Sequence, residues 1–471
     1  MAMKHFGKQL YRQRACDSWG NPIRSVARRL SALRNSGLLV SVTFGTLLTG
    51  GSLLRATPTL TTLANFSGTN GGKPISGLVS DAAGNLYGTT AGVGFISPTS
   101  YDWGTAFQVA SGTRTLSTLV KFNFYTSGAN PQAGLVSDAA GNLYGVTESG
   151  PENNTYPAGA WGTVYQVAAG THAFSTLAVF DHTHGSAPSG AMIVDAAGNL
   201  YGTTAQGGAN NVGTVFEVAA GTHAISNLAT FDGNNGGYPE AGLIADRAGN
   251  LYGTTNVGGA NNCGTVFQIA DGTHVLSTLV TFNGGNGKNP YAGLIADSAG
   301  NLYGATHLGG ANDDGTIFQV AAGTHVLTTL ATFNGSNGAQ PYGSLIADAA
   351  GNLYGTTESG GAYNQGTAFE ITAGTNSIAT LATFQTGNDG YGIYGANPFG
   401  NLFADAAGNL YGTTMLGGTG YYGTVFELTG TGFVTSAPEP AAASLMGLAG
   451  LGLLARRRRS CGTLLRCGAA S

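Results

Sequence analysis

Short runs of alternating apolar and polar residues follow one another along most of this chain, and their order repeats. In one copy, the apolar run at residues 293–297 (GLIAD) leads through a Ser-Ala-Gly turn into a second run at residues 301–306 (NLYGAT). A Gly/Asn-rich loop then precedes residues 315–320 (GTIFQV), and another Gly turn precedes residues 325–333 (HVLTTLATF). Short β-branched and aromatic runs bounded by turn residues are typical of strands, so each copy predicts four strands.

Two sequence strings mark the copies. The string Asp-Ala-Ala-Gly-Asn-Leu-Tyr-Gly, with small variations, starts at Asp81, Asp138, Asp195, Asp246, Asp297, Asp348 and Asp405. The string Gly-Thr-(Val/Ile/Ala)-(Phe/Tyr)-(Gln/Glu) starts at Gly104, Gly162, Gly213, Gly264, Gly315, Gly366 and Gly423. Four strands per copy without helical periodicity predict an all-β fold, a seven-bladed β-propeller of four-stranded antiparallel blades. The alternative, a β-solenoid, would need much shorter repeats.

The repeat also predicts its own turns and closure. An Asp followed by two turn residues and a Gly fits a type I turn that ends in a left-handed Gly, so the first two strands should be antiparallel neighbours. The last copy has no obvious fourth strand, whereas residues 59–66 (TLTTLANF) look like a fourth strand placed before the first copy. We therefore expect this N-terminal strand to become the outer strand of the seventh blade and to close the ring.

Composition and charge exclude several classes of protein. With 79 Gly, 42% hydrophobic residues and 9% charged residues, the chain is neither a disordered polyelectrolyte nor a charge-rich helical protein. The formal net charge of -4 hides a strongly acidic middle, because residues 57–437 contain five Lys+Arg and 21 Asp+Glu, a net charge of -16. Such a surface repels phosphate backbones, which argues against nucleic-acid binding.

The N-terminal segment has the order of a secretory signal. Residues 1–56 combine a long basic region, an apolar stretch at residues 37–54 and Ala56 as a candidate cleavage position, which predicts a signal peptide with a long basic n-region. A downstream start codon, a twin-arginine signal at Arg28 and Arg29, and a retained membrane anchor are the alternatives. Cys263 stands alone between the two end segments, so the middle of the chain has no internal disulfide partner for it.

The C-terminal segment resembles the PEP-CTERM sorting signal of Gram-negative bacteria. A Pro-Glu-Pro box is followed by fifteen apolar or small residues, 441–455, and then by four Arg. The resemblance implies an exosortase-type processing enzyme as a partner, transient inner-membrane association of the hydrophobic helix, and a mature protein at the cell surface or outside the cell. The residues that carry the resemblance are Pro438, Glu439, Pro440, Arg456, Arg457, Arg458 and Arg459.

Five segments follow from these patterns. They are the signal peptide (residues 1–56), the propeller (57–430), a linker (431–437), the sorting helix with its Arg cluster (438–459) and an unexplained tail (460–471). The repeat, with its Asp-x-x-Gly-Asn-Leu-Tyr-Gly-Thr-Thr hairpin and its Gly-Thr-Val-Phe strand, most closely resembles the GloVer tandem-repeat family of surface proteins. That resemblance implies a fold and a location, but no known activity.

Candidate binding residues lie where the copies differ. The loops between strands two and three are longer in copies one and two, at residues 90–104 and 147–162, and the connection into copy seven is longer at residues 384–402. These three insertions should converge on one sector of one face, and their aromatic and polar side chains are suited to stacking on sugar rings. The alternative is that the two Trp are apolar plugs at blade edges. The candidate ligand-binding residues are Tyr101, Asp102, Trp103, Tyr156, Trp161, Asp389, Tyr391 and Tyr394.

No catalytic constellation is recognisable, and neither a cofactor nor a metal site is expected. Each hairpin Asp should accept backbone hydrogen bonds within its own turn. The sequence therefore favours an exported, non-catalytic structural or binding protein, with an extracellular polysaccharide as the expected ligand. The first alternative is a polysaccharide-active enzyme that draws acids from Asp102, Glu148, Glu152 and Asp389. The second is a ligand-sensing propeller module.

Overall fold

A computed structural model describes residues 57–97, 100–151, 161–385 and 394–435 of the chain. These residues form β-strands joined by turns and loops, and none of their segments is a helix long and apolar enough to cross a membrane. The strands assemble into seven four-stranded antiparallel sheets, the blades of a β-propeller. The predicted fold class is confirmed.

Each blade begins with a strand of two residues next to the ring axis and ends with a strand of six or seven residues at the outside. Blades one to four consist of β2 (Val79–Ser80), β3 (Leu86–Thr90), β6 (Thr105–Val109) and β7 (Leu116–Lys121); β8 (Val136–Ser137), β9 (Leu143–Thr147), β10 (Thr163–Val167) and β11 (Phe174–Val179); β12 (Ile193–Val194), β13 (Leu200–Thr204), β14 (Thr214–Val218) and β15 (Ile225–Thr230); and β16 (Ile244–Ala245), β17 (Leu251–Thr255), β18 (Thr265–Ile269) and β19 (Leu276–Thr281).

The remaining blades repeat this order, with a short additional strand in blade six and the N-terminal strand in blade seven. They consist of β20 (Ile295–Ala296), β21 (Leu302–Thr306), β22 (Thr316–Val320) and β23 (Leu327–Thr332); β24 (Ala339–Pro341), β25 (Ile346–Ala347), β26 (Leu353–Ser359), β27 (Thr367–Ile371) and β28 (Ile378–Thr383); and β29 (Phe403–Ala404), β30 (Leu410–Thr414), β31 (Thr424–Thr429) and β1 (Thr59–Asn65). Strands β4 (Gly94–Ser97) and β5 (Ser100–Asp102) form a separate hairpin in the long loop of blade one.

Ring closure follows the prediction. Strand β1 pairs antiparallel with β31, with Thr59 opposite Thr429 at one end and Asn65 opposite Thr424 at the other. The seventh blade therefore joins the two ends of the described chain. A hydrogen bond of 2.9 Å from Thr413 Oγ1 to the carbonyl oxygen of Ser76 adds a contact between blades seven and one.

The conserved hairpin string builds the same hydrogen-bond network in every blade. In blade one, Asp81 Oδ1 accepts the backbone N–H groups of Ala83 and Asn85, and Asp81 Oδ2 accepts the Asn85 amide and the Tyr87 hydroxyl at 2.7 and 2.9 Å. Gly84 closes the turn at φ 80°, where a side chain would be strained. The hairpin Asp residues therefore act within their own turns, as expected from the sequence.

An aromatic pair occupies each interface between blades. Phe66, which follows β1, meets Phe107 of blade one edge-to-face, with ring centroids 5.0 Å apart. Both rings are almost completely buried, and such pairs add to the free energy gained from apolar burial. The other six pairs are Phe122–Tyr165, Phe180–Phe216, Phe231–Phe267, Phe282–Phe318, Phe333–Phe369 and Phe384–Phe426.

We call the face that carries the loops between strands two and three the upper face, and the face that carries the Asp hairpins the lower face. Residues 431–435, which the sequence assigns to the linker, run along the lower face of blades six and seven. Thr431 Oγ1 donates to the Gly408 carbonyl at 3.1 Å, and the Ala349 N–H donates to the Val434 carbonyl at 2.9 Å. The chain therefore stays attached to the propeller beyond its last strand.

The aromatic pair between blades one and two contains a hydroxyl group that the other six pairs lack. Tyr165 is fully buried and its hydroxyl has no hydrogen-bond partner, whereas the equivalent position is Phe in the other six copies. An unsatisfied buried hydroxyl costs about 1–3 kcal/mol.

We expect Tyr165→Phe to raise the free energy of unfolding by about 1 kcal/mol, because it removes the buried hydroxyl and keeps the aromatic pair. Thermal and denaturant melts of the purified protein measure the effect. Tyr144→Phe in the same blade is the matched control and should destabilise, since the Tyr144 hydroxyl donates to Asp138 and accepts from Gln166. A Tyr165→Phe variant that melts below the wild type would contradict this interpretation.

Candidate functional site

Two positions of the repeat vary from copy to copy although their neighbours are nearly constant. The first follows the Pro in each connection between blades, and the second follows the Thr that ends each Leu-Tyr-Gly-x-Thr run. The first column is Ile75, Gln132, Ser189, Glu240, Tyr291, Tyr342 and Phe399, and the second is Ala91, Glu148, Ala205, Asn256, His307, Glu358 and Met415.

The first column lies next to the axis of the ring. Two residues further along the chain, the blades touch one another through small residues, since the Gly293 N–H donates to Ser344 Oγ at 2.8 Å and the Ser344 N–H donates to Asn401 Oδ1 at 2.6 Å. A Cβ atom on Gly242 would lie 2.8 Å from the Ala191 carbonyl oxygen, so the contact ring is tightly packed. The second column begins the upper-face loops, and His307 of this column contacts Tyr291 and Tyr342, so these variable side chains lie on the upper side of the ring.

Aromatic rings from three successive connections form a continuous row there. Tyr291 and Tyr342 stack with centroids 4.9 Å apart and planes 15° apart, and Tyr342 contacts Phe399 at 4.6 Å. His307 of the second column stands edge-on to both Tyr rings, at 5.3 and 5.9 Å. The two columns therefore meet in one place.

Polar side chains come from blade two, across the ring from this row, and from blade four, next to Tyr291. Gln132 Nε2 donates to Glu148 Oε2 at 2.6 Å, and Glu240 is hydrogen-bonded to the side chain of Asn256. Asn256 is buried and also accepts from the Asn289 amide at 3.0 Å. We call the following residues the axial cluster: Gln132, Glu148, Ser189, Glu240, Asn256, Tyr291, His307, Tyr342, Glu358 and Phe399.

Carboxylates and tyrosines of the cluster that come from different blades influence one another. Burial raises the pKa of Glu240 to about 7, the Asn256 hydrogen bond opposes this shift, and the Glu148 carboxylate adds to it. Burial together with the carboxylates of Glu240, Glu358 and Glu148 raises the pKa of Tyr342. Glu148 belongs to blade two and Tyr342 precedes blade six, so they influence each other only near the axis.

Other groups of the cluster are also desolvated. Burial raises the pKa of Glu358. Burial lowers the pKa of His307, and a hydrogen bond to the backbone of Pro341 partly opposes this effect. His307 Nδ1 and Ser189 Oγ are buried and have no hydrogen-bond partner within the protein. Polar atoms of this kind cost stability unless a partner satisfies them.

The sequence prediction includes Glu148 but none of the other axial residues. Insertions in the outer loops are easy to see in a repeat, whereas substitutions at a single repeat position are hidden among ordinary variation. Aligning the seven copies and asking which positions carry different chemistry would have identified both columns. Among the described residues, no group of three His, Cys, Asp or Glu side chains is placed to hold a metal ion.

The predicted loop residues of blade one lie together, on the outer part of the upper face. Tyr101 and Trp103 stack with centroids 5.3 Å apart, and Trp103 also stacks on Phe124 at 5.3 Å. Asp102 is buried and accepts the backbone N–H groups of Val93 and Gly104 at 3.1 and 3.0 Å. Tyr101, Asp102 and Trp103 line a small cavity of about 120 Å³.

The other predicted residues are distributed differently. Trp161 is 41% exposed and contacts the His182 ring edge-on at 5.0 Å. Tyr394 lies in a turn of the connection into blade seven. Tyr156, Asp389, Tyr391 and the acid Glu152 lie outside the described residues, as do all residues of the predicted sorting signal.

The profile of the Gloeobacter/Verrucomicrobia repeat matches residues 92–298 and 246–439, which is more than half of the chain. The chain belongs to the Gloeobacter/Verrucomicrobia repeat family. The resemblance to the GloVer repeat expected from the hairpin and strand strings is thereby confirmed. No curated protein sequence matches the chain.

Solved structures similar to this chain are propellers of low sequence identity. The extracellular domain of a putative hybrid two-component system from B. thetaiotaomicron is 11% identical with a TM-score of 0.51, and the match covers 78% of this chain and 39% of that chain. This chain thus spans about two fifths of that sensor domain. An oligogalacturonate lyase from Vibrio parahaemolyticus is 10% identical with a TM-score of 0.48, over 78% of this chain and 93% of the lyase. At these identities the similarity establishes the fold alone.

The raised pKa of Glu240 predicts a pH dependence of stability. A carboxyl whose folded pKa is about 7 stabilises the fold when protonated, and this contribution is lost as the pH rises from the unfolded value of 4.5 through 7. We expect Glu240→Gln to melt about 2 °C above the wild type at pH 8 and close to it at pH 5. Glu217→Gln, which removes a carboxylate of β14 outside the axial cluster, controls for net charge. An equal difference at both pH values would contradict the assignment.

Proposed function

We propose that this protein is an exported, non-catalytic binding propeller whose ligand occupies the axial cluster. The observation that carries this proposal is the convergence of the two variable columns at the axis, on a scaffold that is otherwise nearly identical in seven copies. Constant positions build the blades and their interfaces. The positions free to differ are therefore those available for recognition, and they lie side by side.

The chemistry of the cluster favours binding over a purely structural role. Copy one has Ile75 and Ala91 at the two positions, so apolar residues are compatible with the ring. Glu240, Glu358 and His307 at the same positions in other copies are desolvated, which lowers the stability of the fold. A ligand that contacts these groups gives a reason for keeping them.

The proposed location rests on the two ends of the chain. A signal peptide at residues 1–56 and the PEP-CTERM-like segment at residues 438–459 together support export, followed by processing by an exosortase-type enzyme. The mature propeller then acts at the cell surface or in an extracellular matrix.

A glycan remains the proposed ligand of the loop residues in blade one. The Tyr101 side chain is 55% exposed and stacks on Trp103, so an aromatic surface is available to a sugar ring. Asp102 is not available in the same way, because its carboxylate already accepts two backbone hydrogen bonds. Half-buried Trp103 also packs against the core between blades one and two, which supports the alternative of an apolar plug.

A polysaccharide-active enzyme is the second candidate function, and one observation favours it. Glu240 has a pKa near neutrality and lies within electrostatic reach of Glu148. Two carboxyls with different environments are the usual acid and base of glycoside hydrolysis. Release of reducing ends from a polysaccharide, abolished by Glu240→Gln, would select this alternative over a binding protein.

Pull-down on immobilised polysaccharides, together with thermal-shift screening of small ligands, tests the proposed site. We expect ligand binding to weaken about tenfold or more with Tyr342→Ala, which removes the central ring of the aromatic row. Trp103→Ala with Trp161→Ala should leave that ligand bound. If binding is instead lost only in the double Trp variant, the blade-one loops are the site. If neither change affects any ligand found, the axial proposal fails.

Localisation of the protein with and without residues 438–459 tests export and sorting. We expect the full chain outside the inner membrane and the shortened chain missorted, since the hydrophobic helix and the Arg cluster hold the precursor at the membrane. Retention of both forms in the cytoplasm would contradict the proposed export. Equal release of the full and the shortened chain would contradict the sorting signal but not the proposed export.

A further inference from the structure

The axial cluster carries negative charge without a described counter-ion. Its glutamates come from blades two and six and from the connection into blade four, namely Glu148, Glu358 and Glu240. None of the ion pairs among the described residues includes any of the three; Lys288 pairs with Asp313, and Arg114 with Glu427. Desolvated carboxylates that repel one another attract a positively charged ligand more strongly than a neutral one.

The aromatic row favours an organic ammonium ion over a bare metal ion as the positively charged ligand. Tyr342 contacts both Tyr291 and Phe399, so Tyr291, at the end of the row, has one face that no ring of the row covers. Aromatic faces attract cations through the ring quadrupole and tolerate the apolar substituents of an organic ammonium group. A bare metal ion would require a tight set of oxygen or nitrogen ligands, and no such group occurs among the described residues.

A third feature is independent of charge. Ser189 Oγ and His307 Nδ1 are polar atoms buried in the cluster without a partner in the protein. Both atoms are shielded from solvent, so a bound molecule reaches them only when neighbouring side chains shift. The cluster thus combines an aromatic surface, carboxylates without an ion-pair partner and buried polar atoms without a hydrogen-bond partner.

From this combination we infer that the axial cluster binds a small organic cation, with its ammonium group against the face of Tyr291 that points away from Tyr342 and with the glutamates around it. This inference rests on the proposed function, because it assigns a ligand class to the same site. The bound ammonium replaces the missing counter-ion of the glutamates.

Charge on Glu240 links binding to pH. The titratable groups that face Glu240 are Glu148, Tyr291 and Tyr342. Between pH 6 and 8 Glu240 passes from mostly protonated to mostly ionised, since its pKa is about 7. The Tyr hydroxyls stay protonated because their pKa values are raised, and burial lowers the pKa of His307, which favours its neutral form. A ligand that prefers ionised Glu240 binds up to about tenfold more tightly at pH 8 than at pH 6.

Calorimetric titration of the full-length protein with choline tests the inference, and 3,3-dimethylbutanol serves as the uncharged molecule of the same shape. We expect choline to bind about tenfold or more tightly than the alcohol at pH 8. Its affinity should decrease about tenfold at pH 6. Titrations in two buffers of different ionisation enthalpy should show proton release near pH 7.

Variants separate the charge from the aromatic contribution. Glu240→Gln should weaken choline binding about tenfold at pH 8 and remove the pH dependence. Tyr342→Ala should weaken it about tenfold at both pH values. Glu217→Gln and Tyr363→Ala are matched controls outside the cluster and should leave the affinity unchanged. Glu217 occupies a position that is Gln in four other copies, so this control is compatible with the fold.

The results distinguish this inference from the proposed function. Equal affinity for choline and the alcohol, or choline binding unaffected by both axial variants, overturns the organic-cation assignment. A neutral saccharide bound in a Tyr342-dependent way, with no choline binding, overturns the assignment and leaves the axial binding role intact. If neither choline nor any other ligand binds in a Tyr342-dependent way, the organic-cation assignment and the axial binding role are both contradicted.

Discussion

Ring closure through the β1–β31 pairing is the constraint on which the rest of the structure depends. Each blade buries its apolar surface against its two neighbours, so an open array would expose one blade face and one unpaired strand edge at each end. The register of β1 on β31 brings Phe66 onto Phe107, and the closing interface thereby becomes equivalent to the other six. Once the ring is closed, the innermost connections are forced into contact at the axis.

This constraint explains where the chain is free to vary. The Asp hairpin network holds the first two strands of each blade, whereas the aromatic pairs and the small residues of the axial contact ring join neighbouring blades. A substitution at an aromatic pair or in the contact ring disturbs two blades at once. The positions after Pro and after Thr lie above the contact ring and are not needed for closure, so six residue types occur at the first position and five at the second. Glu240 and Tyr342 both occupy the position after Pro, where the residue type is free to vary.

The repeat made most of the fold predictable. The seven copies of two strings predicted the number of blades, the Asp-x-x-Gly turn predicted the hairpins, and the missing fourth strand of the last copy predicted the closure at residues 59–66. The axial cluster was not predictable by the same means, because its residues are far apart in sequence and become neighbours only through sevenfold convergence. The burial of Asp102 was also hidden, since its hydrogen bonds depend on how the β4–β5 hairpin folds back on Gly104.

Topology also determines which way the axial cluster faces. Thr59 is paired with Thr429 at the lower end of blade seven, so the described chain enters and leaves at the lower face. Residues 431–435 are bonded to the Asp hairpins of blades six and seven, which keeps the exit point there. Both ends of the described chain therefore lie on the lower face. The axial cluster lies on the opposite, upper face, so neither end of the described chain covers it.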